Sequence, residues 1–339
     1  MAEPQDGRQA DSHRHHDRPN WYRVVEPGIR AVEARLHQAL VDPRLGDPIG
    51  KVALHLIEAG GKRIRPALVL LAAGACRDDL DDVAVPIACA AELIHSASLL
   101  HDDVLDEGDR RRGRPTSRIV WNNSFSVLSG DYCLALALSE VASTGHIEAV
   151  LSLNRTVTSM VNAEAIQIRS RDELDLSRAA YFEVIQGKTA SLMAWCSSLG
   201  GLPADPETRI LETFGLELGT AFQVTDDLLD YFADPDELGK NLGKDLSEGK
   251  VTLPLIEAIE EKPELRDAVA HLTELPEQDA LIEARSVMQA VTRTGAIDRT
   301  RQVAIGHADK AAASLADLPA STFRDALVDL AHFAAQRAY

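Results

Sequence analysis

The sequence predicts an all-α protein, and its composition and patterning are the two observations behind that prediction. Apolar residues make up 45% of the 339 residues, enough for a sizeable core, whereas aromatic residues make up only 4%. Alanine and leucine dominate the apolar set, while strands are typically rich in β-branched and aromatic residues. The sequence has no hairpin signal and no alternation of strands with helices. We therefore expect a disordered polar tail over 1–20 and a single large helical bundle over 21–339.

Glycines and prolines delimit the first helices. Helical periodicity runs over 21–40, and the two prolines and two glycines of 42–50 predict a loop. The next helix should end at Gly60 and Gly61, because glycine is the commonest residue just past a helix C-terminus. Pro66 suits the first turn of the helix that follows, where a backbone N–H would have no partner within the helix.

Helical patterning also covers most of the remaining chain. Helices are predicted over 67–76, 83–107, 122–144, 147–169, 176–199 and 206–231, with others up to residue 339. The expected connections are a basic loop at 107–118, a turn at 172–175 and a long loop rich in Gly, Lys and Asp at 234–250.

The charge and the cysteines exclude several classes of function. A formal net charge of −18 disfavours binding to nucleic acid or to an anionic membrane surface. No apolar stretch reaches the length of a membrane span without interruption, and the first 20 residues are polar, so we expect no integral membrane association. The four cysteines are widely spaced and form no CxxC pair, which favours reduced thiols and a cytoplasmic protein.

Two acidic clusters of the form DDxxD each follow an apolar helical run. Residues four apart share one face of a helix, so Asp102 and Asp106 can point the same way, as can Asp226 and Asp230. Mg²⁺ takes a few carboxylate oxygens and completes its coordination with water and substrate phosphates. We expect the two helices to face each other across a central cavity; the alternative is a pair of acidic surface faces. A third match, at 78–82, lies between apolar runs and is interpreted as a solvated loop.

Cationic side chains near unusual backbone could bind a diphosphate at such a site. Diphosphates are recognised by positive charge and N–H donors. The Gly60–Gly61 helix start offers both, and Lys188 with Thr189 interrupts an otherwise apolar helical face. The candidates are Lys62, Arg65, His95, Arg111, Arg112, Lys188, Thr189, Lys240 and Lys250. Taken alone, a lysine in a loop is usually solvated, and a histidine on an apolar face usually belongs to the core.

In its ordered motifs the sequence resembles the trans-isoprenyl (polyprenyl) diphosphate synthases of the long-chain type. The resemblance covers about 50–260 and is carried by GGKRIRP at 60–66, DDVLD at 102–106 followed by basic residues, GDY at 130–132, KT at 188–189, FQ and DDLLD within 222–230, and the glycine–lysine pairs at 239–240 and 249–250. One departure is Asn162-Ala163-Glu164, where the family often has an acid-Gly-acid run; Glu164 and Gln167 are retained.

The resemblance implies the isoprenoid-synthase fold, a homodimer and a Mg²⁺-dependent condensation of an allylic prenyl diphosphate with isopentenyl diphosphate. It implies metal ligation by Asp102, Asp106, Asp226 and Asp230, with three Mg²⁺ ions when substrate is bound. The catalytic set it implies is Asp102, Asp103, Asp106, Arg111, Lys188, Asp226, Asp227 and Lys240. By the same resemblance, the allylic diphosphate would contact Arg111, Lys188, Thr189, Gln223 and Lys240, and isopentenyl diphosphate would contact Lys62, Arg65, His95 and Arg112. Lys250 would neutralise the charge of the leaving group.

The length of the product should depend on the residues that precede the first acidic cluster. Ala97 and Ser98 lie one turn before Asp102, where relatives with short products have large aromatic residues. Small side chains there leave a channel open past Ile94, and the channel should end further down or on a facing helix near Cys133 or Ala137. The prediction is an all-trans geranylgeranyl or longer diphosphate.

Two alternatives stay open at this point. A class I terpene cyclase-like enzyme would share the helical fold and the metal chemistry, but it would not need the residues assigned to isopentenyl diphosphate. A non-catalytic subunit of a heteromeric synthase would usually have lost aspartates, whereas both clusters here are whole.

Overall fold

The computed structural model describes residues 18–41, 48–76, 81–198, 206–231, 244–247, 249–272 and 274–336, and these ranges are almost entirely helical, which confirms the predicted fold class. The first half contains α1 (Asn20–Leu40), α2 (Ile49–Glu58), α3 (Ile64–Cys76), α4 (Asp81–Leu105), α5 (Ser117–Val120), α6 (Asn123–Ser143) and α7 (Ile147–Asp172). The second half contains α8 (Arg178–Ile185), a π-helical turn (Gln186–Ala190), α9 (Ser191–Ser198), α10 (Pro206–Leu229), α11 (Lys244–Ser247), α12 (Leu253–Glu261), α13 (Leu265–Leu272), α14 (Glu277–Thr292), α15 (Ala296–Ser314), a 3-10 turn (Leu315–Asp317) and α16 (Thr322–Gln336). The predictions for the tail over 1–17, for residues 78–80 of the third acidic match and for Lys240 lie outside the described residues.

The core is built on α4 and α10, the two helices that carry the acidic clusters. α4 packs against α1, α3 and α6, while α10 packs against α9, α15 and α16. Alanines such as Ala90, Ala91 and Ala97 on α4 have no exposed surface, so neighbouring backbones can approach closely. A second apolar cluster contains residues of α12, α13, α14 and α15 and also Leu228 at the end of α10. It therefore supports the C-terminal end of α10.

The basic segment after α4 contains a short hairpin, and the expectation of a simple loop without hairpin was wrong. Strand β1 (Arg110–Arg111) pairs antiparallel with β2 (Arg114–Pro115), with Arg111 opposite Arg114. The two turn residues, Arg112 and Gly113, have φ of 50° and 74°, the left-handed values that a two-residue hairpin turn requires. An Arg-Gly pair lacks the Asn or Asp that usually signals such a turn, so the pattern was not recognised.

The helix predicted over 176–199 is interrupted. It begins at Arg178, because the Ser177 side chain accepts a hydrogen bond from the Ala180 N–H and caps the helix. The turn from Gln186 to Ala190 is π-helical. A Cβ on Gly187 would lie 2.6 Å from the Ala163 Cβ, so this turn packs tightly against α7. Such turns occur often at functional sites.

Two helices are long and apolar enough to cross a membrane by length and composition alone. They are Val83–Leu105 within α4, whose apolar window is 72% buried in the bundle, and α6, whose window is 33% buried. α4 is thus a core helix, while α6 leaves one apolar face uncovered. Leu128 and Leu138 on that face are 50% and 48% exposed.

Candidate active site

The two acidic clusters meet at one hollow of about 180 Å³ between α4, α7, α8 and α10. Asp106 lines it from the end of α4 and Asp227 from α10. Around them lie the side chains of Glu164, Gln167, Lys188, Thr189, Gln223 and Lys250. Asp102 lines an adjoining cavity together with Lys188. The wall of this hollow therefore carries both carboxylates and cations, the combination that a metal–diphosphate complex requires.

The first cluster divides its aspartates between two directions. Asp102 faces the cavity, with its Oδ1 3.5 Å from the Lys188 Nζ. Asp103 points into the protein, is 3% exposed, and accepts a hydrogen bond of 2.9 Å from the Arg111 Nε. Burial raises the pKa of both carboxyls, and the opposing cations, Lys188 for Asp102 and Arg111 for Asp103, lower it. Arg111 thus binds the first cluster through Asp103, the aspartate that points into the protein.

In the second cluster the middle aspartate is also buried, and it has different partners. Asp227 is 4% exposed and accepts hydrogen bonds from the Tyr181 hydroxyl at 2.7 Å and from the Gln223 Nε2 at 2.9 Å. Thr189 Oγ1 in turn donates to Gln223 Oε1 at 2.8 Å. Burial raises the pKa of Asp227 to about 6, while Lys250 and the two hydrogen bonds lower it. Tyr181 was not found from the sequence, because nothing in its local pattern separates it from an ordinary core tyrosine.

The predicted isopentenyl diphosphate residues meet in a second pocket of about 420 Å³. Its lining includes Lys62, Arg65, His95, Arg112 and Phe222. Burial and the neighbouring arginines, chiefly Arg65 and Arg112, hold the pKa of His95 well below 6.5, so that its imidazole is neutral. Among the described residues, the buried Nε of Arg65 has no hydrogen-bond partner, and a phosphate oxygen is the kind of acceptor it lacks.

This pocket depends on an ion pair that the sequence did not reveal. Arg63 has φ of 50°, and its Nη1 lies 2.5 Å from Glu92 Oε1 on α4. Its Nη2 also donates to the Ile57 carbonyl at 2.8 Å. Arg63 and Glu92 are nearly buried, with side chains 9% and 7% exposed. The pair fixes the glycine-rich segment between α2 and α3, and so positions Lys62 and Arg65.

A third cavity, of about 540 Å³ and mostly apolar, extends from Asp102 between α4, α6 and α7. All three chain-length candidates, Ile94, Ala97 and Ser98, line it. Its far wall is formed by Leu134 on α6 and by Val157, Met160 and Val161 on α7. Cys133 and Ala137, the expected limit of the channel, are buried but do not line it. Position 134, one residue further along the helix, faces the cavity instead.

The donor set fits a Mg²⁺ ion that shares its ligands with a phosphate. Within the described ranges, no three acidic, histidine or cysteine side chains converge closely enough to hold a metal by themselves. Asp102 and Asp106 offer hard carboxylate oxygens at the edge of a hollow that also contains lysines. Mg²⁺ is typically bound by one or two carboxylates together with substrate phosphates. Asp226 and Asp230 belong to the second cluster, at the end of α10, and would complete the set from the other side.

Comparisons with known proteins identify the family of this chain. The family model described as polyprenyl synthetase matches residues 47–291. The chain is 40% identical to heptaprenyl diphosphate synthase component 2 of Geobacillus stearothermophilus, over 94% of this chain and 98% of that protein. It is also 40% identical to octaprenyl diphosphate synthase of Escherichia coli, over 85% and 90% of the two chains.

The fold also matches solved structures of polyprenyl synthases. A polyprenyl synthase from Caulobacter crescentus, crystallised with calcium and isoprenyl diphosphate, superposes with a TM-score of 0.86 at 36% identity and covers 94% of this chain and 98% of its own. The fold and the site define a prenyltransferase with facing acidic clusters. This chain belongs to the polyprenyl synthetase family, and it is an enzyme that elongates prenyl diphosphates. The cyclase and silent-subunit alternatives are not favoured.

Proposed function

We propose that this chain joins an allylic prenyl diphosphate to isopentenyl diphosphate and releases an all-trans product of geranylgeranyl length or longer. The observation that carries the proposal is the continuity of the hollows. The hollow between the acidic clusters and the 540 Å³ apolar cavity share Leu105, Glu164, Ile168 and Lys188 as lining residues. A diphosphate head among the acids and cations can therefore direct its prenyl tail into the apolar cavity.

The second substrate enters from the α2–α3 side. Phe222 lines the isopentenyl diphosphate pocket, and its neighbour Gln223 lines the acidic hollow. α10 thus brings the two substrates side by side. In the reaction the allylic C1–O bond breaks and its electron pair leaves with pyrophosphate. The double bond of isopentenyl diphosphate then attacks C1, and the proton lost afterwards passes to the released pyrophosphate.

Each group of residues has a role in this proposal. Bound Mg²⁺ would supply Lewis-acid stabilisation of the departing diphosphate, held by Asp102, Asp106, Asp226 and Asp230. Lys188, Thr189, Gln223 and Lys250 would neutralise or hydrogen-bond its oxygens, and Arg111 would act by holding Asp103. Lys240 is proposed for the same diphosphate on the resemblance alone. Lys62, Arg65, His95 and Arg112 would bind the second diphosphate.

The assembly and location belong to the same proposal. The uncovered apolar face of α6 supports a homodimer, since monomeric proteins rarely leave such a face in water. The buried, unpaired thiols of Cys89, Cys133 and Cys196 support a reducing compartment, and we propose a cytoplasmic enzyme.

The test is turnover by the purified full chain. Labelled isopentenyl diphosphate is supplied with dimethylallyl, geranyl or farnesyl diphosphate, with Mg²⁺ or with chelator, and the dephosphorylated products are separated by chromatography. We expect products of 20 carbons or more that require both Mg²⁺ and isopentenyl diphosphate. A farnesyl-only product would refute the proposed length. Products formed without isopentenyl diphosphate would favour a cyclase, and lack of turnover by the isolated chain would favour a heteromeric enzyme.

A further inference from the structure

Glu164 is an acidic residue at the centre of the site to which the reaction assigns no part. It lies on α7, and both the acidic hollow and the apolar cavity include it in their walls. Its Oε2 lies 2.5 Å from the Lys188 Nζ, and its Oε1 accepts a hydrogen bond from the Gln167 Nε2 at 3.2 Å. The side chain is only 18% exposed. Both oxygens are therefore held in place, one of them by a cation of the site.

The ammonium of Lys188 has two carboxylates within reach. Asp102 Oδ1 is 3.5 Å away, against 2.5 Å for Glu164 Oε2. Attraction between charges falls with distance, and it is strongest where water is excluded, so the shorter contact holds the ammonium more firmly. A lysine has flexible rotamers and can move from one carboxylate to the other when either is lost. The two acids thus compete for one cation.

The competition for Lys188 determines whether the Asp102 oxygens are available to bind Mg²⁺. Asp102 must present its oxygens to Mg²⁺, and an ammonium paired with those oxygens would oppose an incoming cation, both by repulsion and by occupying the ligand atoms. Lys188 must nevertheless stay in the hollow, because its charge is needed against the diphosphate. A second carboxylate that retains the ammonium satisfies both requirements.

We propose that Glu164 is a positioning residue that keeps Lys188 away from Asp102, so that Asp102 is available to Mg²⁺ while the ammonium remains beside the diphosphate. This inference rests on the proposed function, which assigns Asp102 to the metal and Lys188 to the diphosphate. It assigns a role to Glu164, a motif residue of α7 that the resemblance left without one.

The consequence is a specific loss of metal affinity. In Glu164→Gln the carboxylate charge is gone, and Asp102 becomes the stronger partner of Lys188. Mg²⁺ must then displace the ammonium, so the Mg²⁺ concentration for half-saturation should rise about tenfold, a shift of about 1.4 kcal/mol. If Lys188 is also removed, nothing is left to compete, and Glu164→Gln should then have little effect. This non-additivity distinguishes positioning of Lys188 from a general structural role.

The experiment measures binding rather than turnover. Mg²⁺ is titrated calorimetrically into the full chain at fixed inorganic pyrophosphate, for the wild type, Glu164→Gln, Lys188→Met and the double variant. Glu183→Gln on α8 is the matched control, since it removes the same charge from an exposed side chain. Thermal unfolding of each variant confirms that it is folded.

We expect the half-saturating Mg²⁺ concentration to rise about tenfold in Glu164→Gln, to stay within twofold of wild type in Glu183→Gln, and to differ less than twofold between Lys188→Met and the double variant. Equal values for Glu164→Gln and Glu183→Gln would overturn the inference, as would a tenfold rise that persists without Lys188. If the wild type shows no Mg²⁺-dependent binding of pyrophosphate, it is the proposed function that fails.

Discussion

The second aspartate in each acidic cluster shows why the motif has the form DDxxD. Successive residues on a helix differ by about 100° in direction, so when the first and fifth face a cavity the second must face the bundle. Asp103 does so; Asp227 contributes to the wall of the acidic hollow but is nearly as buried, and the two residues are 3% and 4% exposed. A buried carboxylate needs partners, and these are Arg111 for one and Tyr181 with Gln223 for the other. The middle aspartates thus anchor the helix ends that present the outer ones.

Ala97 is the residue whose size should determine product length. It lies on the wall of the apolar cavity about one helical turn from Asp102, next to Ser98. Replacing it with Phe should block the cavity close to its mouth, so we expect the main product to shorten to 15 carbons or fewer. Each helical turn rises about 5.4 Å, close to the length of one isoprene unit. Chromatography of the products from labelled isopentenyl diphosphate measures the change.

A graded series controls for damage to the core. Ala97→Leu should shorten the product less than Ala97→Phe does, and Ala97→Val less again. The rate of the first condensation should stay within severalfold of wild type in all three. A much slower first condensation with unchanged product length would contradict the prediction, because it would indicate a damaged site rather than a shorter channel.

The residues found from sequence and those missed differ in a physical way. Lys62, Arg65, His95 and Arg112 were predicted together, and they line one pocket. The lysine and the arginines are unusual in an acidic chain and lie near glycine or acidic motifs, and the family resemblance adds His95 and groups the four residues at one substrate. Tyr181 acts through Asp227 on another helix and Glu92 through Arg63 in the segment before α3, and both pairings depend on packing. A single sequence contains no record of which helix faces which.

At the scale of elements, the π-helical turn at Gln186–Ala190 positions site residues although the sequence pattern does not reveal it. The apolar periodicity over 176–199 predicted one helix, and a single extra residue in one turn disturbs that periodicity too little to be seen. Yet this turn carries Lys188 and Thr189 into the hollow. Gly187 allows it to lie against α7, and a Cβ on Gly219 of α10 would lie 2.5 Å from the Ala190 Cα. Glycines in a helix interior are costly, and here they mark close helix contacts.

Gly187→Ala should therefore impair catalysis by moving an element rather than a catalytic group. The new Cβ would lie 2.6 Å from the Ala163 Cβ and 3.2 Å from the Ser159 carbonyl oxygen, so the turn must shift away from α7. Overpacking of this kind costs about 1–3 kcal/mol of stability. A displaced Lys188 should lower kcat by about tenfold or more, since small misplacements are costly in catalysis.

Gly306 on α15 provides the comparison, because a Cβ there meets nothing within 4 Å. Gly306→Ala should stabilise the protein by about 0.5–1 kcal/mol and leave kcat unchanged. Chemical denaturation and steady-state rates on both variants check the pair. Equal behaviour of the two substitutions would mean that the contact with α7 has no special importance.

At the scale of the whole molecule, polar and apolar surfaces are unevenly distributed. A chain with a net charge of −18 should be covered by charge, yet α5 and α6 expose Ile119, Val120, Leu128 and Leu138, each about half exposed. Val127 and Val161, which line the apolar cavity, are 39% and 62% exposed. A second copy placed on this face would cover the leucines and close the outer side of the cavity.

The proposed homodimer should therefore depend on α6. In a twofold-symmetric interface each substitution acts twice, and burial of a leucine contributes about 1.5–3 kcal/mol. Leu128→Glu with Leu138→Glu should convert the dimer to a monomer at micromolar concentration, as measured by analytical ultracentrifugation. Ile282→Glu on α14 is the matched control: Ile282 is 67% exposed, and α14 packs against helices of the C-terminal cluster rather than against α6. A monomeric wild type, or equal dissociation by the control, would contradict an interface on α6.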